Sequence, residues 1–475
     1  MASVPQLLTS QVSDTPATLD GLGRLREFRA GWYRCLGRWS DTLFEMGDAL
    51  LTAPGRVRSL PYLSIEPVCR RGHGSVYAAL ARGSLDIEAV RDLLVDYAPA
   101  GWWPVFAVDV SAWPRPGARC SPGRGMQHVP LPASSTGTRV PGWAYQWLAQ
   151  LGPGNDSWTA PMDVRRIDPA DNTNDMACAQ MADFAARWAA RHPGVVPVFC
   201  LDAGYCPLTA TIAVTGAGTA PARIIVRIRR DRVFYHRAPA KTPGTPGRPK
   251  LHGPRFACAD PGTWPPPAHH LERHDNHYGH ITVHAWTHLH PGPTSRRHRP
   301  AATTSGTAAP IIEGTIIRIT TTRPDTPTTT PLWLWTAGDD PLDLNLIWRA
   351  YLHRFDIEHL HRYLKQHLAW TTPTIRHPHQ ADTWTQLIAA AHTQIRLAQP
   401  LIAAHRMPWE KPLTPTTATP LRVHRGFRRL APTLGTPTRA PKPTQPGPGR
   451  PPGSKNQQPT PRHKVIIKGK KKKKR

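Results

Sequence analysis

The sequence predicts an α/β protein with a helical N-terminal layer and an unfolded basic end, on three observations. VFAVDV (105–110), VVPVFCLDAGY (195–205) and RIIVRIR (223–229) are short, apolar and largely β-branched. Such runs suit strands buried on both faces. The stretch NDMACAQMADFAARWAARH, just before the second run, is helical in pattern, so strands alternate with helix. Charge supplies the third observation. The chain has 475 residues and a net charge of +28, yet its last 65 residues hold 18 Lys and Arg and no acid.

In chain order, residues 1–98 read as a helical N-terminal domain that binds DNA. Apolar positions recur at helical spacing in LREFRAGWYRCLGRWSDTLFEMGDALL and in SLDIEAVRDLLVDY, where Ser84 precedes an early acid as an N-cap would. Between them RRGHGSVYAALARG holds a Gly turn, and Ser75 is placed to cap a short helix. A helix–turn–helix with Arg70, Arg71 and His73 beside it would lie on DNA, and an ordinary bundle corner is the alternative. Residues 99–235 form the first part of an α/β core. Residues 236–331, rich in Pro, Thr, Gly and His, carry pieces such as HITVHAW and GTIIRIT and read as a β-rich insertion. Helix returns over about 344–369 and 380–398, within a second core segment at 332–410. From 411 to 475 the composition is that of a disordered basic tail.

Composition excludes several classes. The opening MASVPQLLTSQVSDTPATLDG has neither the basic nor the apolar region of a secretory leader, and no apolar run approaches a membrane span. Seven scattered cysteines with no C-x-x-C pair argue against a disulfide scaffold or cysteine-rich zinc site. A soluble intracellular protein with a polyanionic partner is expected.

Three carboxylates stand out. Asp109 interrupts an apolar strand, where a lone charge is costly unless paired or bound to metal. Asp202 ends the second strand beside Gly204, and acids at carboxyl ends of such strands sit where ligands bind. Either acid alone is also what a strand-end turn uses. Glu358 belongs to an amphipathic helix. At ~100° per residue Tyr351, Arg354, Glu358 and Lys365 share an arc of roughly 60°, with Arg362 beside it. Ile357, Leu360, Tyr363, Leu364 and Leu368 occupy the other side. A solvated face with an Arg354–Glu358 pair is the plain alternative. Against it, only four lysines precede residue 412, and Lys365 is one.

Tyr351-x2-Arg354-x3-Glu358-x6-Lys365 resembles, spacing for spacing, the Y-R-E-K signature of DDE insertion-sequence transposases. VDVS around Asp109, LDAGY around Asp202, and the downstream KQHLAWTTPTIRHPHQADTWTQLIAAAHTQIRLA and GRPPGSKN also resemble that family. Where one branch continues as DAGYD, Cys206 stands instead. The resemblance implies a ribonuclease-H-like core interrupted by a β-rich insertion. It further implies that Asp109, Asp202 and Glu358 hold Mg²⁺, with Mn²⁺ as a possible substitute, for phosphodiester cleavage and strand transfer. Tyr351, Arg354, Arg362 and Lys365 would then grip phosphates near the element's end. The implied partner is double-stranded DNA, at element ends and target, held by a homodimer in a synaptic complex. The implied location is the cytoplasm, at the nucleoid. A catalytically silent DNA-binding descendant and a nuclease that cuts without joining are the competing readings.

Other features are weaker. His269, His270, His274, His277, His280, His284, His288 and His290 crowd one segment without the spacing of a zinc finger, so a DNA-facing strand and loop is expected, with zinc as the alternative. Trp286 within it is expected in the core, or else stacked on an unpaired base. Gly449-Arg450-Pro451 suits a narrow minor groove, and Gly247-Arg248-Pro249 suits a loop. The closing KGKKKKKR suits nonspecific phosphate attraction.

Overall fold

A computed structural model of the chain describes residues 16–467 except 132–133, 155–157, 217, 242–245, 247–249, 293–310, 323–329, 339–340, 403–408, 410, 412–413, 415–416, 443–450 and 456–457. The Arg-Pro units at 247–249 and 449–451 fall wholly or mainly outside the described residues, and KGKKKKKR falls wholly outside them.

Five helices come first: α1 (Pro16–Cys35), α2 (Ser40–Thr52), α3 (Leu60–Leu63), α4 (His73–Arg82) and α5 (Ile87–Asp96). Then follow β1 (Val105–Pro114), β2 (Gly125–Leu131), β3 (Ser134–Leu151), β4 (Thr159–Ile167), α6 (Thr173–Arg191), β5 (Val198–Leu201), α7 (Pro207–Thr215) and β6 (Arg223–Ile228). The β-rich stretch holds β7 (Val233–Arg237), β8 (His252–Ala257), β9 (His269–Asp275), β10 (Gly279–Pro291) and β11 (Gly314–Thr322). After β12 (Leu332–Ala337) come α8 (Leu344–His353), α9 (Asp356–Gln366), α10 (Pro378–Leu397), α11 (Gln399–Ile402) and α12 (Pro420–Leu434).

The described strands join one mixed sheet in the order β2-β3-β1-β5-β6-β12-β11-β10-β7-β8, with β4 beside β3 and β9 beside β10. β1–β5 and β5–β6 are parallel, in register Val105↔Val198 and Val198↔Arg223. Parallel neighbours need crossovers, and α6 and α7 supply them. A large mixed sheet with helices is consistent with a ribonuclease-H-like fold. The strands of 236–331 are not a separate sheet, because β12 bonds to β6 on one side and to β11 on the other.

Two apolar layers cover the sheet. On one face α6 packs Phe184 and Trp188 edge-on against Phe106 of β1, with centroids 4.7 and 5.0 Å apart. On the other face the N-terminal helices, α8 to α10 and α12 share one buried cluster with Ala107, Trp147 and Cys200. β1 alternates sides, so Asp109 falls on the face of Ala107, under α9. That alternation places the site.

Several local expectations are corrected. Asp86, not Ser84, caps α5, its carboxylate accepting from Ala89 N at 3.0 Å. Ser84 Oγ instead accepts from Arg38 N. Gly72 precedes α4, leaving Ser75 inside the helix. Arg70 and Arg71 face inward to the buried Glu45, and Arg71 also pairs with Asp41 at 3.0 Å. The bundle-corner reading therefore describes them. Trp286, by contrast, lies in the core as expected, buried against Phe256, Trp264 and Trp333.

The chain beyond 411 is not wholly without structure. α12 buries Val423, Phe427, Leu430 and Leu434, and Ile466 forms a parallel bridge to Gly125 at the sheet edge. An apolar residue every three or four positions gives α12 a face to bury, whatever its Pro and Arg content. Among the described residues no helix is long and apolar enough to cross a membrane.

Candidate active site

The helix expected over 344–369 is two helices. Between α8 and α9 the backbone stays right-handed but tightens: Arg354 N bonds to Tyr351 O, Ile357 N to Arg354 O and Glu358 N to Phe355 O. These i to i+3 bonds advance about 120° per residue instead of 100°. The single arc of Tyr351, Arg354, Glu358 and Lys365 is therefore broken. Tyr351 and Arg354 are buried, Lys365 is half-buried, and Glu358 and Arg362 are exposed. Tyr351 turns its hydroxyl to Leu201 O at 3.4 Å, against the end of β5 rather than toward solvent.

That end of β5 carries Asp202, whose Oδ1 accepts from Gly204 N at 2.9 Å. A Cβ on Gly204 would stand 3.1 Å from the same Oδ1, so the turn is kept tight by a missing side chain. Cys206, the departure from the family's pattern, donates its backbone N–H to Asn174 Oδ1 at 2.6 Å and stands at the N-cap of α7.

Asp109 lies across from Trp147 on β3 and under α9. Its Oδ2 is 3.7 Å from His361 Nδ1. Burial pushes its carboxyl up to about 6, the negative charges of Asp202 and Glu358 add to that, and Arg354 opposes it. Asp109 thus feels Asp202 and Glu358, although the three come from β1, the turn after β5, and α9. Arg354 stands among them. It lies 3.7 Å from Glu358, and burial opposes its charge while the Tyr351 phenol, Asp109, Asp202 and Glu358 sustain it. Among the described residues its Nε has no hydrogen-bond partner.

Two more groups close the pocket. Burial lowers the Lys365 ammonium, against the attraction of Asp109, and its Nζ lies 5.7 Å over the Trp370 ring. His361 is held down to about 3 by burial and then by Lys365, so its imidazole is neutral, and among the described residues its buried Nε2 has no hydrogen-bond partner. His361 was not singled out from the sequence. At ~100° per residue it lies next to the arc of Arg354 and Glu358, which was the available signal.

An oxygen-only donor set of three carboxylates suits a hard divalent cation. On chemistry the residues fit such an ion. Among the described residues no three His, Cys, Asp or Glu side chains stand close enough together to hold one as they lie. The His-rich segment is included in that statement: His270 and His284 stack at 4.9 Å across β9 and β10, and His252 Nδ1 meets His290 Nε2 at 2.9 Å.

No curated protein matches the chain. Among solved structures it is similar to the Argonaute of Kluyveromyces polysporus with a guide RNA, at 12% identity and a TM-score of 0.20. That likeness covers 75% of this chain and 34% of the other, so the chain spans about a third of that protein's length, and it carries no argument. The family model for DDE superfamily endonucleases matches residues 32–290, a span that includes Asp109 and Asp202 and ends before Glu358. By that match over more than half its length, the chain belongs to the DDE superfamily of endonucleases.

Proposed function

We propose that this chain is a DDE transposase, which cleaves DNA at the ends of an insertion element and joins the freed end to a target by in-line displacement. The observation that carries the reading is that Asp109, buried under α9 with its Oδ2 3.7 Å from His361 Nδ1, feels both Asp202 and Glu358, while Arg354 lies 3.7 Å from Glu358. The Y-R-E-K spacing supports the finer assignment to transposases, and family membership supports nucleic-acid cleavage.

Asp109, Asp202 and Glu358 would hold Mg²⁺, with Mn²⁺ able to replace it. When bound, such ions supply positive charge to the attacking and leaving oxygens of a phosphodiester. The chain's own residues do the rest. Tyr351 fixes the end of β5 and with it Asp202. Arg354, buried and forked, orients the acids and neutralises them before substrate arrives. Arg362 and Lys365 face the space beyond Glu358 and contact phosphate oxygens there. The neutral His361 and Trp147 keep that side of Asp109 dry. A synaptic homodimer at the nucleoid fits paired cleavage of two ends.

A second reading, a silent DNA-binding descendant, is favoured by one observation: the three acids are not close enough to share an ion as they lie. One experiment separates the two. Supercoiled plasmid carrying the DNA that flanks this coding sequence is incubated with Mg²⁺ and the natural chain, or with Asp109→Ala, Asp202→Ala or Glu358→Ala. The transposase reading expects cutting and joined products from the natural chain only, with at least about a hundredfold loss in each variant and DNA binding within about twofold. Binding without cutting by the natural chain would establish the descendant instead.

A further inference from the structure

α12 has two unlike faces. Its apolar side is spent on the core through Val423, Phe427, Leu430 and Leu434, and His424 Nε2 donates to Leu50 O at 2.9 Å. On the other side Arg422, Arg425 and Arg428 are exposed, three residues apart. At ~1.5 Å rise per residue they span about 9 Å. Among the described residues no acid forms an ion pair with any of the three, and Arg422 touches only Thr417 O, at 3.0 Å.

This face does not stand alone. Tyr363 OH of α9 reaches Pro420 O at 3.4 Å, so α9 and the start of α12 lie side by side. A cleft of about 250 Å³ between them is lined by His359, Arg362, Gln366 and His367 of α9 and its C-terminal edge, and by Thr419 and Leu421. Leu50, which accepts from His424 Nε2, is near the end of α2, so the loop after α2 that carries Arg56 starts beside α12. Beyond it opens a cavity of about 780 Å³ lined by Gly55, Arg56, Arg58, Tyr62 and Thr372. Arg56 and Arg58 are exposed as well. The cations therefore continue outward from Arg362, one turn past Glu358, with no acid among the residues lining either opening.

We infer that the arginine face of α12, with Arg362, Arg56 and Arg58, is a track for the phosphates of double-stranded DNA leading away from the cleavage site. The inference rests on the reading of Asp109, Asp202 and Glu358 as a DNA-cleaving site and adds where the flanking duplex lies. A membrane surface is a poor fit, since the helix's apolar side is already buried. Unpaired arginines on a rigid helix suit backbone contacts that position a duplex without reading its sequence.

The test is fluorescence anisotropy on a labelled duplex of arbitrary sequence, about 40 base pairs long, across a salt series. The natural chain is compared with Arg422→Gln/Arg425→Gln/Arg428→Gln and with the same three positions changed to Lys, all checked for unchanged urea midpoints. The Gln triple is expected to bind at least about tenfold more weakly, with the log–log salt slope reduced by about 2 to 3. The Lys triple is expected to stay within about threefold of the natural chain, since charge is kept. A Gln triple with natural affinity and slope overturns the track while leaving the cleavage site standing. A natural chain that does not bind the duplex at all overturns both.

Discussion

At the scale of single residues, Asp109 carries the most consequence. Its folded pKa of about 6 lies above the ordinary 3.8, mainly through burial and then through Asp202. Between those values the folded chain keeps a proton that the unfolded chain releases, so stability falls as pH rises through this window. Well above pH 6 the cost approaches about 3 kcal/mol, at about 1.4 kcal/mol for each pH unit between the two pKa values. Asp109→Asn removes that cost together with the candidate ligand. In chelator, the variant is expected to be more stable than the natural chain by about 1–3 kcal/mol at pH 8, with the gain shrinking as the pH falls toward 4. Urea titrations at several pH values check this. An advantage equal at pH 8 and pH 4, or none at pH 8, would show that Asp109 is not a strained carboxylate. Arg354 sits opposite it as the counter-charge, and the two explain why a chain stabilised by its core keeps an acid inside a strand.

At the scale of elements, the sequence made some features plain and hid others, for physical reasons. β1, β5 and β6 are legible because parallel strands buried on both faces become unbroken apolar runs. β3 is buried on both faces too, yet Gln146 and Gln150 interrupt its pattern. The partners of their Nε2 groups, Gln180 Oε1 at 2.7 Å and Trp103 O at 3.0 Å, lie far away in sequence, so nothing local shows that these donors are satisfied. The α8–α9 break was hidden because the apolar spacing continues through it. Glu358 is exposed on α9, whereas Tyr351 and Arg354, expected on the same helix face, are buried. α12 was hidden by composition, although Val423, Phe427, Leu430 and Leu434 repeat at helical spacing. Phe427→Ala tests its docking. With Phe427 only 1% exposed, the substitution is expected to cost about 3–5 kcal/mol by urea denaturation. A loss below about 0.5 kcal/mol would mean that the helix is not packed on the body.

At the scale of the whole molecule, α10 and α12 join the N-terminal helices to the face of the sheet that carries the acids, and they do so around buried histidines. His392 of α10 is held down to about 3 by burial, then by Arg396 and His424. His424 of α12 is held down to about 4 by burial, with His367 and Arg425 adding to it and its bond to Leu50 O opposing. Tyr363 lies between them, its centroid 5.7 Å from His392 and 6.3 Å from His424. Both imidazoles are neutral in the fold and take up protons near the ordinary 6.5 when it opens. Their contribution is fully present above pH 6.5 and is lost as the pH falls toward 4, at up to about 2.7 kcal/mol per pH unit for the pair. Asp109 acts in the opposite direction over nearly the same window, at up to about 1.4 kcal/mol per unit, so the histidines win. The natural chain, free of metal, is therefore expected to lose urea resistance steadily from pH 6.5 to pH 4.5. In His392→Gln/His424→Gln that slope should flatten, because the groups left over, His361 held down to about 3 and Asp109 pushed up to about 6, act in opposite directions. A natural chain equally stable at pH 7 and pH 5 would mean that these histidines are not sealed in, and that the layer joining the two ends of the chain opens far more readily than its packing implies.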